Sequence, residues 1–352
     1  MIPLFYPQLY KEEWLDALGK IFDTRWLGQG PMVEEFEQVF GKKFNYKYCL
    51  AVNSGSSALE LAYQLLDINE GDQVITTPFT CTATNLPLVK MKAKIIFADI
   101  NDDLLIDYED VKRKVSKKTK AIVAVTLGGL PVDKRLFDLG LPVVVDAAQS
   151  VGVSEKYGDY ICYSFQAVKH FTTGDGGMLV LRNKDEYDRA KKLRWFGIDR
   201  EAKKRVNFNA LNNREITMEI DEPGYKYHMN DIAATMGLIG LRHTDEILKY
   251  RELLCSTYAY HLPKNVHPIY GGSYWLMAII TKDRDDIIEY LRGSGVECDL
   301  VQLRNDIFKV FGGKKQDLPN MNRLENEYLY LPLNPRVTID DVKYICKLLC
   351  NR

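Results

Sequence analysis

The stretch "SFQAVKHFTTGDGGML", residues 164–179, joins two apolar runs through a glycine-rich loop that carries one lysine, Lys169. The runs "YICYSF" and "GMLVLR" resemble β-strands, and the loop between them is too short for a crossover helix. We therefore predict that the two strands pair antiparallel. Lysine is mostly a solvated surface residue. A functional role for Lys169 therefore depends on which other residues the sequence places near it.

The sequence before this stretch alternates between strand-like and helix-like segments. Short β-branched runs such as "QVITT" and "AIVAVT" are each followed by a helical pattern. The predicted helices are Ser56–Leu66, Thr80–Lys90, Tyr108–Val115 and Lys134–Leu139. Such alternation predicts an α/β fold, in which a mainly parallel mixed sheet lies between two layers of helices.

The rest of the chain predicts a second, smaller domain. A helical pattern begins after Asn230, a predicted N-cap, and continues to about Leu262. After it come the strand-like run "SYWLMAIIT" and helical patterns near Asp285–Arg292 and Ile339–Leu349. We predict a large domain over residues 1–240 and a small C-terminal α+β domain over residues 241–352, joined by a long helix that starts near residue 231.

Composition limits the classes of partner. The chain has 352 residues, and its 47 basic and 48 acidic side chains leave a formal net charge of −1, which gives no electrostatic basis for binding nucleic acid or an anionic membrane. The start "MIPLFYPQLYKEEW" lacks the apolar core of a signal peptide, and the seven cysteines are scattered without a CxxC pair. We expect a cytoplasmic protein with small-molecule ligands and no metal site.

Polar residues follow three of the predicted strands, at the sheet edge where α/β proteins bind ligands. Gly55, Ser56 and Ser57 open a helix after "CLAVN", which is typical of a phosphate site, although for this motif taken alone an ordinary N-cap with a glycine turn is the more common explanation. Asp146 and Gln149 follow the apolar run "PVVV". A carboxylate at the end of a buried strand needs a partner, and a cationic ligand nitrogen or the next helix could provide it.

One cofactor would use all these groups. Pyridoxal phosphate needs an amine that binds it covalently, a carboxylate for its ring nitrogen and a donor-rich pocket for its phosphate. Lys169 and Asp146 match the first two needs, and Gln149 lies one helical turn beyond Asp146, where it could reach the ring hydroxyl. The predicted phosphate site comprises Ser56, Ser57 and Ser164. A dehydrogenase is excluded because no GxGxxG follows an early strand.

The chain resembles the DegT/StrS family of nucleotide-sugar aminotransferases, which have the type I fold of pyridoxal phosphate enzymes. The motifs that carry the resemblance are "WLGQGPMVEEFEQVF", "NSGSSALELA", "GDQVITTPFTCTATN", "VDAAQSVG", "SFQAVKHFTTGDGGML", "LRWFGIDR", "GYKYHMNDIAATMGL" and "YLYLPLNP". The resemblance implies that Lys169 binds the cofactor covalently, that Asp146 pairs with the ring nitrogen and that Gln149 contacts the ring oxygen. It also implies that Ser56, Ser57 and Ser164 hold the phosphate.

Three positions depart from the family pattern. Cys81 stands where many members have an aromatic residue stacked on the cofactor ring, and it is either a sulfur contact to that ring or a small packing residue. Ser56 replaces a threonine and keeps the hydroxyl. The family's "GYNY", whose asparagine reaches the phosphate of the neighbouring subunit, is here "GYKYH", so that Lys226 or His228 would take over that role in a homodimer with shared active sites.

The resemblance also implies a reaction. A branch of the family that removes oxygen has histidine in place of the lysine, whereas this chain retains Lys169, and His170, which follows it, is expected to be structural. We predict amino transfer from L-glutamate, with pyridoxamine phosphate formed between the two half-reactions. The acceptor is a nucleotide-linked 4-keto-6-deoxyhexose, and the product is a 4-amino-4,6-dideoxy sugar of the viosamine or perosamine type. The alternatives are a 3-keto acceptor and a non-enzymatic regulator of the same fold.

Overall fold

A computed structural model describes residues 1–152, 158–200 and 220–352 of the chain. Its larger sheet has seven strands in the order β1-β7-β6-β5-β4-β2-β3. These strands are β1 (Tyr48–Val52), β2 (Gln73–Thr76), β3 (Lys94–Phe97), β4 (Thr119–Val125), β5 (Val143–Asp146), β6 (Tyr160–Ser164) and β7 (Gly177–Leu181). The accompanying helices are α1 (Lys11–Thr24), α2 (Pro31–Phe44), α3 (Gly55–Leu65), α4 (Thr82–Lys90), α5 (Tyr108–Lys114) and α6 (Lys184–Leu193).

The pairing of the strands follows from their connections. The pairs β2–β3, β2–β4, β4–β5 and β5–β6 are parallel. β7 runs antiparallel to both β6 and β1, because a short loop brings the chain straight back after β6. The predicted antiparallel pair and the mainly parallel mixed sheet are therefore confirmed.

The sheet is buried on both faces. In β4, Ile122 and Ala124 belong to one apolar cluster with residues of α2, whereas Ala121 and Val123 belong to a second cluster with residues of α3. Successive side chains of a strand point to opposite faces. The predicted three layers, with helices on either side of the sheet, are thus present.

The C-terminal part of the chain has a separate core. It contains an antiparallel sheet in the order β10-β9-β8, built from β8 (His267–Ile269), β9 (Met277–Ile280) and β10 (Tyr328–Leu331). Its helices are α9 (Arg284–Gly293), α10 (Pro319–Leu324) and α11 (Ile339–Cys350). The predicted strand "SYWLMAIIT" is shorter in the structure, because residues before Met277 form a turn that contacts the large sheet domain.

The first residues of the chain pack on this C-terminal part. The Leu4 amide donates to Glu297 Oε2 (3.1 Å), and Asn334 Nδ2 donates to the carbonyl of Pro3 (2.7 Å). Leu4 is buried in an apolar cluster with Trp275 and Tyr328. The boundary between residues 240 and 241 stays a prediction, and these contacts attach residues 1–5 to the smaller part.

The long connecting helix is two helices. α7 (Asp231–Arg242) begins at Asn230, whose side chain accepts from the Ala233 amide (2.8 Å), and α8 (Thr244–His261) follows after a break at His243. The His243 ring stacks on Tyr10, with 4.2 Å between ring centroids. The predicted cap is present, and a tertiary contact at the break accounts for the departure from one continuous helix. In the three described ranges, no helix is both long and apolar enough to cross a membrane.

Candidate active site

A cavity of about 610 Å³ lies at the carboxyl ends of the parallel strands. Of the residues predicted for the site, it is lined by Gly55, Ser56, Cys81, Asp146, Gln149, Ser164 and Lys169. The C-terminal part contributes Trp275, Gln302 and Asn305 to the wall. A larger opening of about 970 Å³ around Trp26 and Arg200 contains none of the predicted residues, so chemistry and not size selects the site.

Asp146 ends β5 and is 4% exposed. Its Oδ2 accepts from Thr84 Oγ1 (2.7 Å), and its Oδ1 accepts from the Ala148 amide (3.1 Å). Burial raises the pKa of the Asp146 carboxyl, and the two hydrogen bonds and the charge of Lys169 oppose this rise only in part. Within the described ranges Asp146 forms no ion pair, so a cationic group in the cavity would relieve the cost of its burial.

Lys169 lies in the loop between β6 and β7, and its amine contacts the ring of Trp275 from the C-terminal part. Its Nζ is 4.1 Å from the centroid of the Trp275 ring, and Trp275 Nε1 donates to the carbonyl of Val168 (3.2 Å). Burial lowers the pKa of the Lys169 amine to about 8, although the nearby Asp146 carboxylate favours the charged form. Lys169 can therefore take up and release a proton close to neutral pH.

The start of α3 closes against Ser164. A Cβ atom on Gly55 would lie 2.9 Å from Ser164 Cβ, so only glycine allows this approach. Ser54 caps the helix by accepting from the Ser57 amide (3.1 Å). The first amides of a helix have no partner within the helix, and together with the Ser56 and Ser164 hydroxyls they form a site with several donors.

Ser57 differs from its neighbours in this loop. It does not line the cavity, and its Oγ donates to Asn53 Oδ1 (2.6 Å). Ser54, which sequence reasoning did not single out, lines the cavity instead. The predicted contact of Ser57 with a phosphate stays a prediction, and the structure gives its hydroxyl a partner within the chain.

Gln149 is fixed by the C-terminal part and by the loop after β4. Its Oε1 accepts from the Gly128 amide (2.7 Å), and its backbone carbonyl accepts from Ser273 Oγ (3.0 Å). With the oxygen occupied, the amide nitrogen is the group that remains to donate to a ligand oxygen.

His170 connects the lysine loop to the turn before β9. It is buried, its Nε2 lies 2.8 Å from the carbonyl of Ser273, and its Nδ1 has no partner among described residues. Burial holds the pKa of His170 well below its ordinary value. A neutral, buried ring that does not line the cavity fits the structural role predicted for it.

Lys226 and His228 lie outside the cavity of their own chain. His228 packs edge-on against Trp195, with 4.0 Å between ring centroids, and its backbone pairs with Val52. Burial and the charges of Lys226, Arg194 and Arg200 lower the pKa of His228 to about 4, so it is neutral at pH 7. Of the two residues that the sequence suggests as cations, Lys226 is the exposed one.

These residues fit pyridoxal phosphate. Asp146 is a buried carboxylate without a cationic partner among the described residues, Lys169 supplies an amine, and the start of α3 with Ser164 supplies a site for an anion. An α/β/α domain that places these groups at its strand ends defines a pyridoxal phosphate-dependent enzyme of fold type I.

Comparison with known proteins identifies the family. The chain belongs to the DegT/DnrJ/EryC1/StrS aminotransferase family, whose model matches residues 8–350. It is 32% identical over 371 residues to the spore coat polysaccharide biosynthesis protein SpsC of Bacillus subtilis (97% of this chain, 94% of that protein). It is 30% identical over 377 residues to a GDP-perosamine synthase of Vibrio cholerae (100% of this chain, 99% of that protein). The crystal structure of AtS13 from Actinomadura melliaura has a TM-score of 0.92 at 30% identity and covers 100% of this chain and 99% of that chain.

The chain is therefore a pyridoxal phosphate-dependent nucleotide-sugar aminotransferase.

Nothing in the described ranges brings three or more histidine, cysteine or acidic side chains together as a metal site would.

Cys81 provides a first test of the site. It is exposed, lines the cavity and stands before α4 without a capping hydrogen bond. The contact energy of an aromatic side chain with the cofactor ring is only slightly larger than that of a sulfur atom. We therefore expect Cys81→Phe to tighten the binding of pyridoxal phosphate by up to about tenfold with an unchanged melting temperature. Titration of the apo-protein with cofactor and a thermal melt measure the two quantities.

The matched control is Cys350→Phe, which makes the same change at the other exposed cysteine. A lower melting temperature for Cys81→Phe, with cofactor affinity unimproved, would show that Cys81 is a packing residue.

Proposed function

We propose that this enzyme transfers the amino group of L-glutamate to the C4 keto group of a nucleotide-linked 4-keto-6-deoxyhexose. The product would be a 4-amino-4,6-dideoxy sugar attached to the same nucleotide. The observation that carries the proposal is the cavity in which Lys169, Asp146 and Gln149 meet. The choice of a 4-keto acceptor is supported by the two GDP-perosamine synthases to which the chain is similar, at 30% and 28% identity.

Pyridoxal phosphate, when bound, takes up the electron pair left when a proton is removed from the carbon next to the amine. We assign the movement of that proton to Lys169 Nζ, whose pKa of about 8 suits an acid and a base in turn. Asp146 would hold a protonated ring nitrogen, and Gln149 would orient the ring through its free amide nitrogen. Ser56, Ser164 and the first amides of α3 would bind the phosphate.

The test is a product analysis. Purified enzyme with pyridoxal phosphate and L-glutamate is supplied with GDP- or dTDP-linked 4-keto-6-deoxyhexose and, in parallel, with the 3-keto isomer. Mass spectrometry follows the amino sugar and 2-oxoglutarate. We expect both products in equal amounts. A 3-keto-6-deoxyhexose as the only accepted sugar would replace the proposed acceptor, and an enzyme that aminates no nucleotide sugar would contradict the proposal.

We further propose a homodimer in which Lys226 reaches the cofactor phosphate of the neighbouring subunit. Lys226 is exposed, and its segment pairs with Trp195 and Val52 at positions 226 and 228, so the chain has a defined path there. A cation from one subunit on a dianionic phosphate of the other gives a charge-assisted hydrogen bond and links cofactor binding to association.

The double variant Lys226→Ala with His228→Ala is expected to bind pyridoxal phosphate at least about tenfold more weakly and to lose the stabilisation of the dimer by cofactor. Cofactor titration and sedimentation with and without cofactor measure this. The control is Lys282→Ala with His267→Ala, two exposed residues of the C-terminal part. A fully active native monomer, or a double variant with unchanged cofactor affinity, would rule out the shared site.

A further inference from the structure

Residues 299–306 form a segment of the C-terminal part that is fixed at both ends. The Tyr330 amide donates to the carbonyl of Asp299 (2.9 Å) at one end. At the other end, Asn305 Nδ2 donates to the carbonyl of Thr80 (2.8 Å), and Arg304 forms a buried two-bond ion pair with Asp306 (2.7 Å for each bond). The backbone between these anchors is therefore held in place against the large domain.

The centre of this segment is strained. Val301 has a φ of +56°, and the Gln302 amide donates to the carbonyl of Leu300 (2.6 Å), which makes a tight three-residue turn around Val301. A β-branched residue seldom adopts a positive φ, and such strain persists where the surrounding structure imposes it, often at functional sites. Val301 lines both the proposed active-site cavity and a neighbouring cavity of about 740 Å³.

The turn places Gln302 in the wall of the active-site cavity. Gln302 is 6% exposed, and its backbone carbonyl accepts from Tyr328 Oη. Its side-chain oxygen is buried and has no hydrogen-bond partner among the residues that the structure describes. A buried amide oxygen without a partner is costly, and rotation of the amide toward the cavity would let a ligand donor supply the missing hydrogen bond.

We propose that Gln302 is a specificity-determining residue that accepts a hydrogen bond from a hydroxyl group of the acceptor's hexose ring. The inference rests on the proposed function in that the ligand is a nucleotide-linked sugar. The sugar must approach the cofactor cavity, and its ring hydroxyls are neutral donors of the kind that the Gln302 oxygen lacks. A site built to bind a hydroxyl discriminates strongly against a ligand without one, because the protein group is then left unpaired.

The test separates the sugar from the nucleotide. Enzyme loaded with pyridoxamine phosphate is titrated by calorimetry with each nucleotide sugar, GDP-mannose or dTDP-glucose, and with the matching free nucleotide, GDP or dTDP. For each pair, the dissociation constant of the nucleotide divided by that of the nucleotide sugar measures what the sugar contributes to binding. In Gln302→Met, which keeps the size and removes the amide, we expect this ratio to fall at least about tenfold. Its melting temperature should be unchanged or higher, because an unpaired buried group has been removed.

Two further variants complete the design. Gln302→Glu keeps an oxygen acceptor and should retain the sugar's contribution. Gln38→Met makes the same change as Gln302→Met on the exposed side of α2 and should leave the ratio unaltered.

An equal ratio in wild type and Gln302→Met would overturn the inference, as would a wild-type enzyme that binds neither nucleotide sugar better than its nucleotide. Absence of product from the 4-keto probes would instead contradict the proposed function, because turnover does not enter the ratio of dissociation constants.

Discussion

Lys169→Ala is expected to reduce the turnover number by at least about 10³-fold, since it removes both the amine that binds the cofactor and the group that moves the proton. The fold should survive, because Lys169 lies in a loop and the hydrogen bond that its backbone amide donates to the Gln166 carbonyl (2.9 Å) does not depend on the side chain. Loss of an ammonium that is half-buried beside Trp275 also removes a desolvation cost.

The measurements for this variant are single-turnover absorbance with L-glutamate, steady-state product formation and a thermal melt. Wild-type enzyme with cofactor should be yellow and should bleach with glutamate, whereas Lys169→Ala should show no such change. Lys118→Ala, at an exposed lysine before β4, is the control and should keep full activity. Turnover near the wild-type rate in Lys169→Ala would remove the residue from the mechanism.

Asp146→Asn is expected to lower the rate by at least about 10²-fold, since it removes the charge that would hold the ring nitrogen protonated. The exchange keeps the volume of the side chain. It also keeps its hydrogen bonds, because Thr84 Oγ1 can accept as well as donate and the remaining oxygen can still accept from the Ala148 amide.

Both half-reactions should slow to a similar degree in Asp146→Asn, because the ring nitrogen takes part in each. Stopped-flow absorbance with L-glutamate, and then with the keto sugar, measures them separately. Asp103→Asn, an exposed carboxylate, serves as the control. An unchanged rate with Asp146→Asn would reduce Asp146 to a residue that caps the turn at Ala148.

The sequence alone predicts the parts of this site that are encoded locally. Asp146 and Ser164 end strands whose apolar patterns are clear, and Lys169 follows the second of them. The ends of parallel strands meet at one edge of a sheet. The antiparallel return of β7 is also local, because loop length decides it. The roles assigned to these side chains stay predictions, although the structure brings the cavity-lining ones together.

Residues that come from distant segments could not be found in the same way. Trp275 and Gln302 line the cavity because the C-terminal part packs there. Their local sequence does not distinguish them from core residues. Trp275 lies in a run that reads as a strand, and its contact with Lys169 is a tertiary one. The break at His243 has a similar cause, since the ring of Tyr10 stacks there from a segment over 200 residues away.

The packing of residues 1–5 on the C-terminal part has a consequence for how the chain matures. The Leu4–Glu297 hydrogen bond joins positions 293 residues apart, so during synthesis residues 1–5 must wait roughly tens of seconds for the segment that contains Glu297. Phe5, which lies in the wall of the cavity and contacts the Trp275 ring at 5.8 Å, can take its place only after that delay. The wall of the cofactor pocket is therefore complete only once the C-terminal part has been synthesised and has packed against residues 1–5.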